Sequence, residues 1–282
     1  MMRQISSVDI TEAVSSLLKQ ACCELGEDVL AALKKAYREE ESHPGREAID
    51  AILENAAIAA SEKIPLCQDC GTAVVFLEIG QDVRIIGGDL DEAVNEGVRL
   101  AVKEGFLRSS MVSRPFTART NTGGNTPAVI HTEIVPGDKL KIAVMPKGGG
   151  TENMSRLGML LPAAGKQGVI EFVVKVVDEA GSRPCPPLIV GVGIGGSAEK
   201  ALFLAKHALL RQVGEPSADA ETADLEKEIL KRVNRLGIGP AGYGGRITAL
   251  AVHAESFPAH IAGLPVAVNL QCHSARHREV VL

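Results

Sequence analysis

The first sixty residues read as helices, and Pro65 ends the last of them, so this stretch is expected to be a helical region ahead of whatever sheet the rest of the chain builds. Asp9 and Glu12 have capping-box spacing ahead of Ile10, Ala13, Leu17 and Leu18. Ala31, Leu33 and Ala36 continue an apolar pattern after Gly26, and a third helix is expected from Gly45 or Arg46 to about Glu62, with Ile49, Ile52 and Ala56 on its apolar face. Residues 1–62 thus read as an N-terminal helical region.

Past Pro65 the periodicity alternates. Ala73 to Ile79 reads as a strand and Asp91 to Glu104 as a helix, with Leu90, Val94, Val98 and Val102 in register. Pro127 to Val135 and Lys139 to Met145 are strand candidates around Pro136-Gly137-Asp138, residue types that suit a tight reversal, so a hairpin is expected. Helices are expected next at about Glu152 to Leu161 and Lys166 to Ala180, a strand at Leu188 to Val192, and helices at Ala198 to Gln212 and Asp224 to Leu236. Strands at Ile247 to His253 and Val266 to Leu270 complete the pattern. The fold class is α/β of the mixed α+β kind, with the helical region followed by a mixed sheet layered by helices, and residues 63–282 form one catalytic region.

Composition excludes several functions. A net charge of −5, with six Phe, two Tyr and no Trp, supplies neither the basic stripe nor the stacking aromatics of a nucleic-acid surface. No apolar run approaches the ~18 residues of a membrane span, and no signal-like segment comes after Met1, so a cytoplasmic location is expected. Six cysteines in a reducing compartment read as ligands or small core residues rather than as a disulfide framework. Cys22-Cys23, inside a helical pattern, reads as packing.

Cys67, Cys185 and Cys272 differ from that pair, because Pro, Gly, Gln and His surround them and a thiolate in such irregular backbone can face a cavity. Together they read as a metal site assembled from distant segments. Three thiolates would leave one iron of a cubane cluster open, which points to Lewis-acid chemistry rather than electron carriage. A competing reading starts from Cys67-Gln68-Asp69-Cys70, a C-x-x-C pair that also suits zinc or a redox dithiol, although no second such pair is present. Gly191-Val192-Gly193-Ile194-Gly195-Gly196 and Gly237-Ile238-Gly239-Pro240-Ala241-Gly242 fit G-x-G-x-x-G. The first meets only Glu215, in a loop, and the second contains proline, so both read as close backbone packing rather than a dinucleotide site. Lys147-Gly148-Gly149-Gly150 lies between a strand and a helix, where backbone amides favour anions, and Arg108, Arg114 and Arg119 offer guanidinium forks for a carboxylate.

Seven strings occur in order over roughly residues 60 to 280: Cys67-Gln68-Asp69-x-Gly71-Thr72-Ala73, Asn121-Thr122-x-x-Asn125-x-Pro127-Ala128, Lys147-Gly148-Gly149-Gly150, Cys185-Pro186-Pro187, Gly195-Gly196-x-Ala198-Glu199-Lys200, Leu236-Gly237-Ile238-Gly239, and Pro258-Ala259-His260 leading to Cys272. With these the chain resembles the class I, iron–sulfur fumarate hydratases, and in particular the separate alpha subunit of the two-subunit fumarase and L(+)-tartrate dehydratase group. The resemblance implies that Cys67, Cys185 and Cys272 hold a [4Fe-4S] cluster, that Gln68 and Asp69 line the substrate pocket, and that Asp69 and His260 are catalytic. It also implies a backbone amide from Gly150, and a carboxylate-binding role for Arg108, which is one residue out in spacing from the first cysteine. Cys70 departs from the threonine common in relatives and reads as a small buried side chain.

The expected function is reversible hydration of fumarate to (S)-malate, with L(+)-tartrate dehydration as the alternative and a zinc or redox protein as the reading from a different class. The resemblance further implies a separate beta subunit that completes the site, an α2β2 assembly and a small dicarboxylate substrate.

Overall fold

The computed structural model describes residues 2–282 and shows a mixed α/β fold. In chain order it runs β1 (Arg3–Ser6), α1 (Ser7–Cys23), α2 (Glu27–Glu39), α3 (His43–Glu62), β2 (Thr72–Gly80), β3 (Val83–Ile86), α4 (Leu90–Glu104), β4 (Val112–Ser113), β5 (Thr120–Asn121), β6 (Val129–Val135) and β7 (Leu140–Lys147). It continues through α5 (Gly149–Glu152), β8 (Arg156–Leu160), α6 (Gly165–Ala180), β9 (Leu188–Gly195), α7 (Ala198–His207), α8 (Ala220–Val233), β10 (Ala249–Phe257), β11 (Leu264–Gln271) and β12 (Arg278–Val281). Two compact units form: one from residues up to Leu25 with Asn55–Gly149 and Arg276–Leu282, the other from Gly26–Glu54 with Gly150–Ala275.

The first unit is built on a four-stranded sheet of order β12-β7-β2-β6. Val75 and Leu77 of β2 and Ile142 and Val144 of β7 share a core with Ile10 and Val14 of α1 and Val94 and Val98 of α4. Each such side chain contributes about 1.5–3 kcal/mol when fully buried. The two helices approach closely because position 97 is glycine: a Cβ there would lie 2.7 Å from the Thr11 carbonyl oxygen. Ser6 and Asp89 cap α1 and α4 by accepting from the amides of Val8 and Glu92 at 3.1 and 2.9 Å.

The expected hairpin is corrected. β6 and β7 do not pair with each other, since β2 lies between them, parallel to β6 (Val75↔Ile130) and antiparallel to β7 (Val75↔Val144). The apolar run of β2 is buried throughout and gains ladder partners on both sides, leaving the more exposed β6 at the edge. The Pro136-Gly137-Asp138 turn closes over the end of β2, where Gly80 accommodates the Gly137 carbonyl.

The second unit carries a four-stranded sheet of order β10-β9-β11-β8. On one face Val190, Val192 and Val268 pack with Val173 and Val177 of α6 and Ile229 of α8. On the other, α7 lies directly on β9, and a Cβ at Gly191 or Gly193 would come within 2.0 Å of the Ala205 or Ala201 carbonyl oxygen. The first glycine string is therefore a helix–sheet packing surface.

A helix was expected over Glu152 to Leu161, and this is corrected: α5 stops at Glu152, and Arg156–Leu160 is strand β8, antiparallel to β11. Asn153, Ser155 and Gly158 are poor helix interiors, and the missing Cβ of Gly158 makes room for the Phe172 ring. α3 begins at His43 because Pro44 suits a first turn, and α8 begins at Ala220 because Asp219 caps it, accepting from the Thr222 amide at 2.8 Å. The short strands β1 and β12 gave no periodic signal and exist through pairing with β3 and β7.

Residues 26–54 are fastened into the second unit by Glu40, which is 2% exposed. Its carboxylate accepts from the backbone amides of Glu41 and Ser42 at 2.9 Å and from those of Arg246 and Ile247 at 2.9 and 2.8 Å. Those four amides hold its pKa below the ordinary carboxylate value although burial opposes them. The stabilisation is thus present above the unfolded-state pKa and is lost as pH falls through the lower folded value. Glu40→Gln should cost about 3 kcal/mol at neutral pH, with a smaller difference from the parent in acid; equal urea midpoints at neutral pH would refute this.

Candidate functional site

In the first unit, α3 ends shortly before the Leu66–Thr72 segment. The Leu66 amide donates to the Cys22 carbonyl at 2.9 Å and Asn55 Nδ2 donates to the Leu66 carbonyl at 3.0 Å, which fixes where the segment starts. Within the turn, Cys67 Sγ accepts from the Asp69 amide at 3.3 Å. Asp69 Oδ1 accepts from the Gly71 amide at 3.0 Å and Oδ2 from the Gly149 amide at 2.8 Å. Only glycine fits at 71, where φ is +77° and a Cβ would meet the Lys147 backbone at 2.6 Å. Cys67 and Asp69 are half-buried and Gln68 is exposed.

Behind this turn stands Arg276, 3% exposed, whose Nη2 donates to the Asp69 carbonyl at 2.6 Å while Nε and Nη1 have no hydrogen-bond partner. A buried guanidinium with unused donors is costly unless an anion is near. Cys70 is buried in a core with Cys22, its Sγ donating to the Cys67 carbonyl at 3.7 Å, whereas Cys67 is only half-buried, so the two halves of the C-x-x-C pair have different surroundings. The Cys22 thiol donates to Cys70, and that bond, the Arg108 amide at 3.2 Å and the Arg276 charge bring Cys70 down to about 6 against the effect of burial. Cys22 is pushed well up, first by the same bond and then by burial.

Arg108 is exposed, and its backbone is braced by Asn125, which is 3% exposed at φ +53°. Asn125 Nδ2 donates to the Arg108 carbonyl at 2.9 Å, and Oδ1 accepts from the amides of Ser110 and Met111 at 2.5 and 3.2 Å. The first unit thus brings together Cys67, Gln68, Asp69 and the Arg108 loop. The sequence marked Asn125 only as one position of the Asn121–Ala128 string, and Arg276 lay between two histidines; burial and hydrogen bonding show what each of them holds.

The second unit brings together Gly150, Cys185 and Cys272. Cys185 is exposed at φ +56°, a left-handed conformation disfavoured for a side chain with a Cβ. Its amide donates to the Ser182 carbonyl at 3.0 Å, and its carbonyl accepts from the His273 amide at 3.2 Å, next to Cys272. Gly150 lies near the Arg183 carbonyl, 3.6 Å from a Cβ built on it. The turn containing Gly150 is tied to β11 through Glu152, whose carboxylate receives Lys206 Nζ at 2.6 Å and Asn269 Nδ2 at 3.1 Å.

His260 stands apart from that group. It comes after β10, at the end of the sheet where β11 begins, whereas Cys272 comes after the end of β11 and Cys185 precedes β9. The eight residues of β11 separate the two ends by roughly 25 Å. Its Nδ1 accepts from the Ala262 amide at 3.1 Å in an exposed turn.

Among the described residues no three His, Cys, Asp or Glu side chains stand grouped for a metal ion. The donor chemistry nevertheless suits a thiolate-bound anionic group. Cys67 Sγ already accepts an amide bond of the kind that tunes such sulfurs, and Arg276 has two nitrogens, Nε and Nη1, without a hydrogen-bond partner behind the same turn. No helix among the described residues is long and apolar enough to cross a membrane.

Comparison with known proteins adds a family match. Residues 11–281 fit the family model described as Fumarate hydratase (Fumerase). The chain is 44% identical over 277 residues to the "Putative L(+)-tartrate dehydratase subunit alpha" of Methanocaldococcus jannaschii, covering 95% of each chain. It is 32% identical over 269 residues to the L(+)-tartrate dehydratase subunit alpha of Escherichia coli strain UTI89 and to that of Shigella sonnei, covering 95% of this chain and 88% of theirs.

Asn125→Ala would strip three hydrogen bonds from the Arg108 loop and leave an alanine at positive φ, a local loss of about 3 kcal/mol. Hydrogen exchange at Ser110 and Met111 should accelerate accordingly; unchanged protection there would show that Asn125 does not brace the loop.

Proposed function

The chain belongs to the fumarate hydratase (Fumerase) family as a hydro-lyase alpha subunit, and from that premise we propose that it binds a [4Fe-4S] cluster through Cys67, Cys185 and Cys272 and interconverts (S)-malate and fumarate. The observation that carries this reading is the Cys67–Gly71 turn, where a thiol, a carboxylate braced by two amides and a buried guanidinium with free donors converge. When bound, the cluster supplies an iron with an open position, a Lewis acid toward the departing hydroxyl.

The protein residues supply the rest. Removing water from malate takes a weakly acidic proton beside a carboxylate, and the charge left behind spreads onto that carboxylate. Asp69, whose half-buried carboxylate is braced beside Cys67 by the Gly71 and Gly149 amides, is our assignment for proton transfer, a kind of assistance worth about 10²–10⁴-fold. Arg108 offers a two-pronged fork to a substrate carboxylate, and the Gly150 amide a further donor. Gln68, exposed beside Cys67, contacts substrate. His260 enters this reading only from a neighbouring chain, because its own sheet carries it away from Cys185 and Cys272.

The relatives are named alpha subunits, which supports a separate beta subunit that completes the site. We assign an α2β2 assembly in the cytoplasm. L(+)-tartrate is the second reading of the substrate, favoured by the relatives' names. It differs from malate by one hydroxyl, a distinction set by pocket contacts.

After anaerobic purification the chain should carry about four iron and four sulfide. Both should fall sharply in Cys67→Ser, Cys185→Ser and Cys272→Ser but not in Cys70→Ser; zinc in their place would overturn the cluster. Arg108→Ala, assayed with the beta subunit, should lower kcat/KM by roughly 10²–10³-fold, and wild-type kinetics would remove its role. Turnover of malate against L(+)-tartrate by the same complex decides the substrate.

A further inference from the structure

Between Glu104 and Glu133 the chain has no acidic residue, yet it carries Arg108, Arg114 and Arg119, in a protein whose net charge is −5. Every residue from Ser113 to Gly123 is exposed, and Phe106 and Phe116 are 89% and 90% exposed. This segment is not loose. β4 and β5 pair antiparallel across it, the Thr122 amide donates to the Met111 carbonyl at 2.9 Å, and Ser109 Oγ donates to the Gly123 carbonyl at 2.9 Å. Asn121 Nδ2 donates to the Ser109 carbonyl at 2.9 Å, and at the tip Arg119 Nη1 donates to the Pro115 carbonyl at 2.6 Å.

Phe106, Arg114, Arg119 and Asn125 all have φ between +47° and +53°, four left-handed non-glycine residues within twenty. Such backbone is strained, and it is held here by a dense set of hydrogen bonds to present two aromatic rings and three cations to solvent. Exposed rings give this chain no packing in return, so their gain comes on association. Phenylalanine is enriched at interfaces and arginine among the residues that dominate them, and a short rigid element loses little entropy on docking.

We propose that this arm, Phe106–Asn125, is the docking element for the separate beta subunit, whose matching surface is acidic and offers apolar sockets to Phe106 and Phe116. The assignment rests on the reading of the chain as an alpha subunit. The arm's uninterrupted positive charge steers encounter with an acidic partner, and the rings then supply the buried contacts that slow dissociation.

The test measures binding of the full cluster-loaded chain to the beta subunit from the same source, at low and high salt, without reference to turnover. Phe116→Ser and Phe106→Ser should weaken affinity at least about 30-fold through faster dissociation. Arg114→Glu should slow association and flatten its salt dependence. Ile134→Ser, an exposed apolar change off the arm, should bind as the parent does. Unchanged iron content and thermal midpoint show that each variant is folded. The proposal is overturned if the arm variants bind like the parent, if the parent binds no beta subunit, or if they lose affinity only for a generic RNA while the complex still forms. A parent complex that assembles through the arm but turns over no dicarboxylate would sink the hydratase reading alone.

Discussion

One buried carboxylate organises the part of the second unit that carries two of the three proposed cluster ligands. Glu40 gathers four backbone amides, two from its own loop and two from Arg246 and Ile247. The loop it anchors folds back on itself through the Gly244 amide and the Ile238 carbonyl, and its Ala241 amide donates to the Pro186 carbonyl at 2.9 Å. Pro186 is next in the chain to Cys185, and the Cys185 carbonyl in turn receives the His273 amide. A chain of hydrogen bonds, side chain to backbone at Glu40 and backbone to backbone beyond it, thus runs from a helix linker near residue 40 to the segments that carry Cys185 and Cys272. It explains how an exposed cysteine is kept in a left-handed conformation that it would otherwise leave.

The first unit solves a different problem. Its Cys67 turn keeps a half-buried thiol and a half-buried carboxylate in place, and does so largely through backbone groups. Two amides brace Asp69, a glycine at positive φ admits the Lys147 backbone, and a buried arginine holds the turn's carbonyl. Cys70 lies in a core shared with Cys22, and its thiol pairs with that of Cys22 and with the Cys67 carbonyl rather than with the Cys67 sulfur. A dithiol needs two sulfurs facing each other, and Cys67 Sγ is instead engaged with the Asp69 amide and Gln68.

The two sheets use their glycines for one purpose and their strained non-glycine residues for another. Gly97, Gly191 and Gly193 let helices approach other backbone closely, where any Cβ would collide. Phe106, Arg114, Arg119, Asn125 and Cys185 carry left-handed backbone in segments that face solvent or the proposed site. Strain of the second kind is held by hydrogen bonds rather than by close helix packing, as at Asn125 and Cys185.

The sequence by itself determined the residue types of the chemistry and most of the periodic elements. Irregular flanks singled out Cys67, Cys185 and Cys272 from the helical Cys22 and Cys23; amphipathic runs located α1, α4 and α6 because burial of one face leaves a period in the chain, and a short continuous apolar run located β2. Tertiary structure alone decided that β2 separates β6 from β7, that Arg156–Leu160 is a strand, and that His260 sits at the far end of its sheet from Cys272. It also decided that Glu40 and Arg276 matter, and which backbone groups Asn125 braces. Their partners lie up to 207 residues away and are backbone groups, which every residue has, so no spacing or composition in the sequence can announce them.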